Sequence, residues 1–197
     1  MPRPMTFDPD AATDAAMQVF WRQGYAGATP ATLEAAMGIG RSSLYNSFGS
    51  KQQLYLRALD HYVREESRQV IDILAAQGPV LPRLRAVIDH VVALSLRDAE
   101  HRGCLVTNAA IDRARDDDAV RALLQRVVDE QTAAFADAIE AGRRTGEIAA
   151  GVDAAATAGL LVAALNGIRV LARIDPSEER LAALADAALR GLAPDAP

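Results

Sequence analysis

The sequence predicts an all-α protein of about nine helices, and three observations carry that prediction. Half of its 197 residues are hydrophobic but only 5% are aromatic, and Ala and Leu, both good helix formers, supply much of the apolar content. No long Val/Ile/Thr-rich alternating run marks a strand. Proline and glycine recur beside capping Asp, Ser and Thr residues, where helices start and stop. The length suits one sizeable core, or a small domain attached to a larger one.

In FDPDAATDAAMQVFWRQG, Asp8 is placed as N-cap, Pro9 at the first helical position and Gly24 as the stop. Ala12, Ala16, Val19 and Phe20 share one face of that helix. Thr29-Pro30 repeats the device and starts a short helix through Met37. Gly38-Ile39-Gly40 interrupts, and Arg41 to Phe48 resumes as a helix before Gly49. Ser50 can cap a much longer helix from Lys51 to about Gln77, broken by Gly78-Pro79. Leu84, Val87, Ile88, Val91, Val92 and Leu94 fall at helical spacing between Leu81 and Ala99.

His101 to Gly103 reads as a loop and Cys104 to Arg115 as a short helix. Asp116, Asp117 and Asp118 sit where carboxylates favour the positive end of the helix dipole. They open a helix to about Arg144, ended by Gly146-Glu147. Asp153 caps an apolar helix, Ala154 to Ile174. Asp175-Pro176-Ser177-Glu178 reads as N-cap, N1, N2 and N3 of a last helix to about Leu192, and the tail from Ala193 is expected to fray.

Net charge is −5, which argues against bulk electrostatic capture of nucleic acid. The charge is uneven. Up to Lys51, Arg3, Arg22, Arg41 and Lys51 balance Asp8, Asp10, Asp14 and Glu34, so the remaining 17 positive and 22 negative residues hold the whole deficit. A neutral head on an acidic body leaves DNA contact dependent on placement. Cys104 is the one cysteine, so no intramolecular disulfide forms. The N-terminal MPRPMTFDPD lacks a signal pattern, and the longest uncharged run, Ala154 to Ile168, has 15 residues, short of the ~20 that span a bilayer. A cytoplasmic protein without a membrane partner is expected.

Thr29 to Phe48 reads as helix, glycine-bearing turn, helix. Leu33, Met37, Ile39, Leu44 and Phe48 are spaced to share a small core with Val19 and Phe20. Ile39 pins the two helices, and Gly38 supplies the left-handed backbone that the turn requires. This is the layout of a helix-turn-helix, whose second helix enters the major groove. Arg41 can bridge phosphates or read guanine, and Ser42, Ser43 and Asn46 can bond base edges or phosphates. Tyr45 offers a hydroxyl on a rigid ring. Thr29 and Lys51 each sit at a helix N-terminus that favours phosphate. The alternative is a solvated face on a short connector.

These residues resemble the TetR family of bacterial repressors. The resemblance rests on FWRQGYAGAT and LEAAMGIGRSSLYNSFGSKQQL. They contain the Phe-x-x-x-Gly-Tyr end of the first helix, the Gly-Ile-Gly turn, the Leu-Tyr-x-x-Phe recognition helix and the Gly-Ser-Lys opening of the fourth. Glu34 departs from the family's small alanine, and Pro30-Ala31 leaves fewer donors at the start of the second helix. The resemblance implies a homodimer that places two recognition helices on a palindromic double-stranded operator. It puts Arg41, Ser42, Ser43, Tyr45 and Asn46 in the groove and Thr29, Tyr45 and Lys51 on phosphate. It also implies a division into a DNA-binding domain, 1–50, and a C-terminal domain, 51–197, that binds a small-molecule effector and dimerises.

In the apolar helix, Gly159, Ala163 and Gly167 line up at i, i+4 and i+8, so another helix can approach closely. Leu160, Leu161, Leu165, Ile168 and Leu171 fill either side. With Leu181, Leu184, Ala185, Ala188 and Leu192 of the last helix this can form half of a four-helix bundle across a two-fold axis; core helices of a monomer are the alternative. The effector candidates are polar residues set among apolar ones: Tyr62, His90, Cys104, Asn108, Gln131 and Asn166. Each also has a reading as a satisfied core or surface residue. Cys104 begins a helix beside Arg102 and His101, an environment that lowers a thiol pKa. RGCLVTNAA is similar to a segment in a TetR subgroup, some of whose members respond to electrophiles or oxidants; the alternative is a small buried hydrophobe. No P-loop, G-x-G-x-x-G, H-E-x-x-H or metal-like Cys/His cluster occurs, so no catalytic residue, metal or cofactor is expected. A helical carrier or protein-interaction module, which would not need the polar recognition face, is the competing class.

Overall fold

The computed structural model describes residues 7–194, and every regular element among them is helical. Three short helices come first: α1 (Pro9–Gly27), α2 (Pro30–Met37) and α3 (Arg41–Phe48). The long α4 runs as α-helix over Lys51–Tyr62, as a π turn over Val63–Ser67 and as α-helix again over Arg68–Ala75. Then follow α5 (Val80–Arg97), α6 (Leu105–Asp112), α7 (Asp118–Thr145), α8 (Ala154–Ile174) and α9 (Glu178–Leu189). The tail beyond Pro194 lies outside the described residues.

Local capping sets most of these boundaries. Asp8, Thr29, Ser50, Asp117 and Asp153 each accept backbone N–H groups of the first turn they precede. Gly24, at φ 69°, breaks the helical run, and one further turn carries α1 to Gly27. α6 and the last helix are bounded differently from the sequence reading. Cys104 is the N-cap of α6 rather than its first residue, and a turn replaces its expected end at Arg115. The last helix is capped by Ser177, whose hydroxyl accepts from Arg180 N–H at 3.3 Å. Asp175 instead closes α8, and its carboxylate takes the Arg180 guanidinium at 3.0 Å.

Two hydrophobic cores result. The first joins α1–α4 to α6 and the first half of α7, through Phe20, Leu33, Leu44, Phe48, Leu54 and Tyr55 on one side and Leu105, Ala109 and Val120 on the other. Tyr55 is its aromatic centre, 4.9 Å from Phe20 and 5.0 Å from Tyr25 in edge geometry, an arrangement worth ~0.5–1.5 kcal/mol per pair beyond the area buried. The second core lies among the rear of α4, α5, α7, α8 and α9, around Leu84, Ile88, Phe135, Ile139, Leu165 and Leu181. A remote cap helps to fix α5: Glu147, in the loop before α8, accepts the N–H groups of Val80 and Leu81 at 2.7 and 2.8 Å.

Polar side chains tie the first three helices to the rest. Asp117 is buried and accepts from Gln52 at 2.9 Å and from Arg113 at 3.1 Å. Trp21 donates to the Gly103 carbonyl at 2.9 Å, while the Arg102 guanidinium lies 3.9 Å over its ring and donates to Gln18 at 2.8 Å. Asp98 accepts from Arg102 and from Gly103 N–H, both at 2.9 Å, and so closes the 98–103 loop.

Burial pushes the Asp117 and Asp98 carboxyls up, but their hydrogen bonds from backbone N–H groups and from Arg113, Gln52 and Arg102 outweigh it and hold both below the ordinary value. The stability they contribute is therefore complete above the unfolded Asp value, ~3.9, and is lost as pH falls through their lower folded values. Urea unfolding between pH 6 and 2 should show an acid-dependent fall in midpoint that is shallower in Asp117→Asn, whose neutral-pH stability is already reduced.

Candidate functional site

The turn between α2 and α3 is built as its sequence requires. Gly38 adopts φ 64°, ψ 25°, and its N–H returns to the Glu34 carbonyl. Buried Ile39 anchors the turn in the first core. Leu44 and Phe48 fix α3 from below, leaving Arg41, Ser42 and Asn46 exposed and Ser43 and Tyr45 half-buried. The Arg41 guanidinium lies 5.8 Å from the Tyr45 ring centroid. Thr29 is exposed at the start of α2, its hydroxyl accepting from Thr32 N–H at 3.2 Å.

Lys51 is held more closely than a free surface cation. Its ammonium stands 4.5 Å from the Tyr25 ring centroid, and the Arg113 guanidinium stands 4.3 Å from the same ring. Burial, then repulsion from Arg113, lowers the Lys51 pKa. Arg57 was not among the sequence candidates; it is exposed on α4, 5.3 Å from the Phe48 ring centroid. A cation on the solvent flank of α4, past the Gly-Ser-Lys opening, was the signal available.

Two cavities, of about 260 and 250 Å³, meet at Cys104 and Arg169. The first is the more polar of the two, lined by Trp21, Tyr62, Glu66, Ser95 and Arg102. The second is mostly apolar, with Gln131, Thr107 and Asn166 among its lining. Tyr62, Cys104, Gln131 and Asn166 are thus brought together. His90 and Asn108 are not, which corrects both assignments. His90 lines neither cavity; its Nε2 is enclosed without a hydrogen-bond partner among the described residues, and burial lowers its pKa. Asn108 faces a separate cleft and is structural, donating to the Arg102 carbonyl and accepting from Arg173, both at 2.9 Å.

The thiol environment also differs from expectation. Arg102 is engaged by Trp21, Gln18 and Asp98, and the His101 carbonyl accepts from Arg173 at 3.0 Å. The cation at Cys104 is Arg169, whose Nη1 lies 2.8 Å from Sγ. Burial pushes the Cys104 thiol up, but Arg169, with hydrogen bonds from Thr107 and Tyr62, outweighs it and holds the thiol below its ordinary value. Burial and then Cys104 push the Tyr62 hydroxyl well up, keeping it a donor. Sequence reasoning missed Arg169, although helical spacing places it on the buried stripe with Val162, Leu165 and Ala172.

The opposite side of α8 is bare. Gly159, Ala163 and Gly167 are exposed, and a Cβ at either glycine would meet nothing within 4 Å. Their lack of a side chain therefore serves no packing inside the protomer. Leu171, Leu184 and Ala188 line an open apolar groove of about 320 Å³ with Leu160, which is 63% exposed. Leu181, also named for this face, is fully enclosed in the second core and cannot contribute to it. By length and composition α8 could cross a membrane, although its longest uncharged run is short; its apolarity serves a packed face and a bare one. Among the described residues no group of His, Cys, Asp and Glu is placed to hold a metal.

Comparison with known proteins gives a consistent result. Residues 12–58 match the family profile described as bacterial regulatory proteins, tetR family, and residues 80–192 match the tetracyclin repressor-like C-terminal domain. The HTH-type transcriptional regulator YezE of Bacillus subtilis is 30% identical over 149 residues, 75% of this chain and 76% of its own length. The HTH-type transcriptional repressor DhaR of Mycobacterium sp. (strain GP1) is 26% identical over 164 residues, 83% of this chain and 81% of its own. A cysteine-substituted form of the TetR family regulator CifR, solved on 26-base-pair double-stranded operator DNA, is 36% identical with a TM-score of 0.85, covering 95% of this chain and 98% of that one.

Arg169→Met should move the pH midpoint of Cys104 alkylation by iodoacetamide upward, slowing the reaction at neutral pH. An unchanged pH–rate profile would show that the guanidinium does not govern the thiol.

Proposed function

Since the chain belongs to the TetR family of bacterial regulatory proteins, we propose that it is a cytoplasmic, DNA-binding transcriptional repressor released from a palindromic operator by a small molecule. The observation that carries this reading is α3 itself: Leu44 and Phe48 anchor it while Arg41, Ser42 and Asn46 stand free. Arg41, Ser42, Ser43, Tyr45 and Asn46 then meet the major groove, and Thr29, Tyr45 and Lys51 meet phosphate. A helical carrier or interaction module has no use for such a face. Residues 1–50 form the DNA-binding domain and 51–197 the effector-binding and dimerisation domain.

The bare face of α8 and α9 supports a homodimer. Gly159, Ala163, Gly167, Leu171, Leu184 and Ala188 would pack against their copies across the two-fold axis, as small residues in a line permit. Two heads then address half-sites ~34–36 Å apart. Tyr62, Cys104, Gln131 and Asn166 line the effector cavities, and an effector acts only through its differential affinity for two arrangements of the heads. The π turn of α4 lies beside the polar cavity through Glu66, and Lys51 starts the same helix. This makes α4 the lever between them.

A second reading concerns the trigger. The 2.8 Å Arg169–Cys104 contact at the junction of two cavities favours a reactive thiol. Addition to an electron-poor alkene would form a C–S bond, with the carbanion protonated by solvent.

A labelled palindrome from the DNA flanking the gene should bind with a steep salt dependence; no binding at low salt would favour the carrier or interaction module. Lys51→Ala should weaken binding to all sequences alike and reduce the salt slope by about 1, whereas Arg41→Ala or Asn46→Ala should change the preferred sequence. Cys104→Ser should bind operator but resist release by N-ethylmaleimide; release equal to wild type removes the thiol trigger.

A further inference from the structure

Arg169 poses a problem that its contact with Cys104 does not solve. A guanidinium carries five N–H donors, and Arg169 is half-buried, so the donors that the protein leaves unpaired face the two cavities it lines. The Cys104 sulfur takes one donor, from Nη1. Among the described residues its other N–H groups make no hydrogen bond, and no carboxylate oxygen lies within 4.0 Å. Glu66 lines the first cavity with Arg169 and attracts it electrostatically, but without a contact within 4.0 Å. The apolar cavity on the other side contains no acidic residue. Its lining includes Val70, Val106, Leu124, Val127 and Leu165, and Gln131, whose amide has no partner among the described residues. Unspent cationic donors at one end of an apolar, acid-free chamber define the missing group by charge and by shape.

We propose that the apolar cavity binds a small carboxylate with an apolar tail, the carboxylate on Arg169 and the tail among Val70, Val106, Leu124, Val127 and Leu165. This names the effector class and rests on reading the body as effector-binding. A carboxylate offers the guanidinium two oxygens in the paired geometry that a single sulfur cannot. At about 250 Å³ the apolar cavity suits a small ligand, and it shares Cys104 and Arg169 with the first cavity. A carboxylate on the unspent N–H groups also neutralises the charge that Arg169 presents to the thiol. Cys104 then keeps or regains its proton, so ligand occupancy and thiol reactivity oppose one another.

The test is calorimetric titration of the wild-type chain, without DNA, with carboxylates from butanoate to decanoate and with phenylacetate, alongside the neutral amides of equal length. At least one carboxylate should bind about tenfold or more tightly than its amide. That carboxylate should slow iodoacetamide labelling of Cys104 where the amide does not, and Arg169→Met should abolish the carboxylate preference while retaining wild-type helicity by circular dichroism. Equal binding of acids and amides overturns the proposal, and so does the absence of binding across the series; neither result depends on Arg169→Met folding. Because no DNA is present, a chain that ignores every carboxylate but binds its operator loses only this inference. One that takes a carboxylate but binds no operator loses only the regulatory reading.

Discussion

The two cavities behind the N-terminal helices meet at one half-buried guanidinium. Arg169 sits on the core-facing side of α8, a turn from Leu165 and Ala172, and its closest partner is a thiol. Placing that charge there constrains α8 to meet three surroundings at once. Its apolar stripe fills the second core, its small residues face outward, and its flank carries Asn166, Arg169 and Arg173 toward α6 and the loop before it. Arg173, one turn on, holds the His101 carbonyl and Asn108, and a Cβ on Gly103 would lie 2.5 Å from its side chain. Gly103, at φ 70°, is favoured by its backbone, and a side chain there would also displace Arg173.

The same loop reaches the DNA-reading head from its other side. Gly103 accepts from Trp21, Arg102 covers that indole, and Glu100 pairs with Arg22 at 2.8 Å. Residues 98–104 thus touch α1, α6 and α8. The head is not an appended module with its own sealed interior, since Leu105, Ala109 and Val120 complete the core that holds Phe20 and Tyr55. Interiors packed this closely respond to a change by repacking between discrete arrangements rather than by bending continuously. A displacement at Cys104 therefore has two routes to the head, one through Trp21 on α1 and one through α4.

What the sequence made legible follows from distance along the chain. The Asp8-Pro9 and Thr29-Pro30 starts, the Gly38 turn and the Asp153 cap are set by residues within four positions of the groups they bond, so inspection finds them. Glu147 caps a helix 66 residues away, and no local pattern announces it. Asp175 looked like an N-cap because Pro follows it; the structure gives the cap to Ser177, since α8 runs to Ile174 and Asp175 serves to close it. Leu181 and Leu184 stand one helical turn apart with the same chemistry, yet one is enclosed and the other borders the groove; periodicity shows an apolar stripe, not which neighbour covers each edge. The π turn had no signal in residue type. Arg169 had one, a cation on a stripe otherwise apolar, but apolar composition drew attention to the helix and away from its exception.

The head's balanced charge becomes intelligible once Lys51 is seen in place. Lys51 and Arg113 are both drawn to the Tyr25 ring while repelling each other, and Arg113 is restrained by buried Asp117. A phosphate arriving at Lys51 would relieve that repulsion as well as add its own attraction, so a single lysine carries more than its formal charge suggests. Charge placed this way acts over a few ångströms rather than across the acidic body, whose field is screened beyond ~8 Å at physiological salt. With few cations on each head, tight binding depends on two heads engaging one duplex, where the second contact forms at high effective concentration. The spacing of the heads then governs affinity more strongly than any one contact. The first cavity borders both α1, through Trp21, and α4, through Tyr62 and Glu66, the two elements on which that spacing rests.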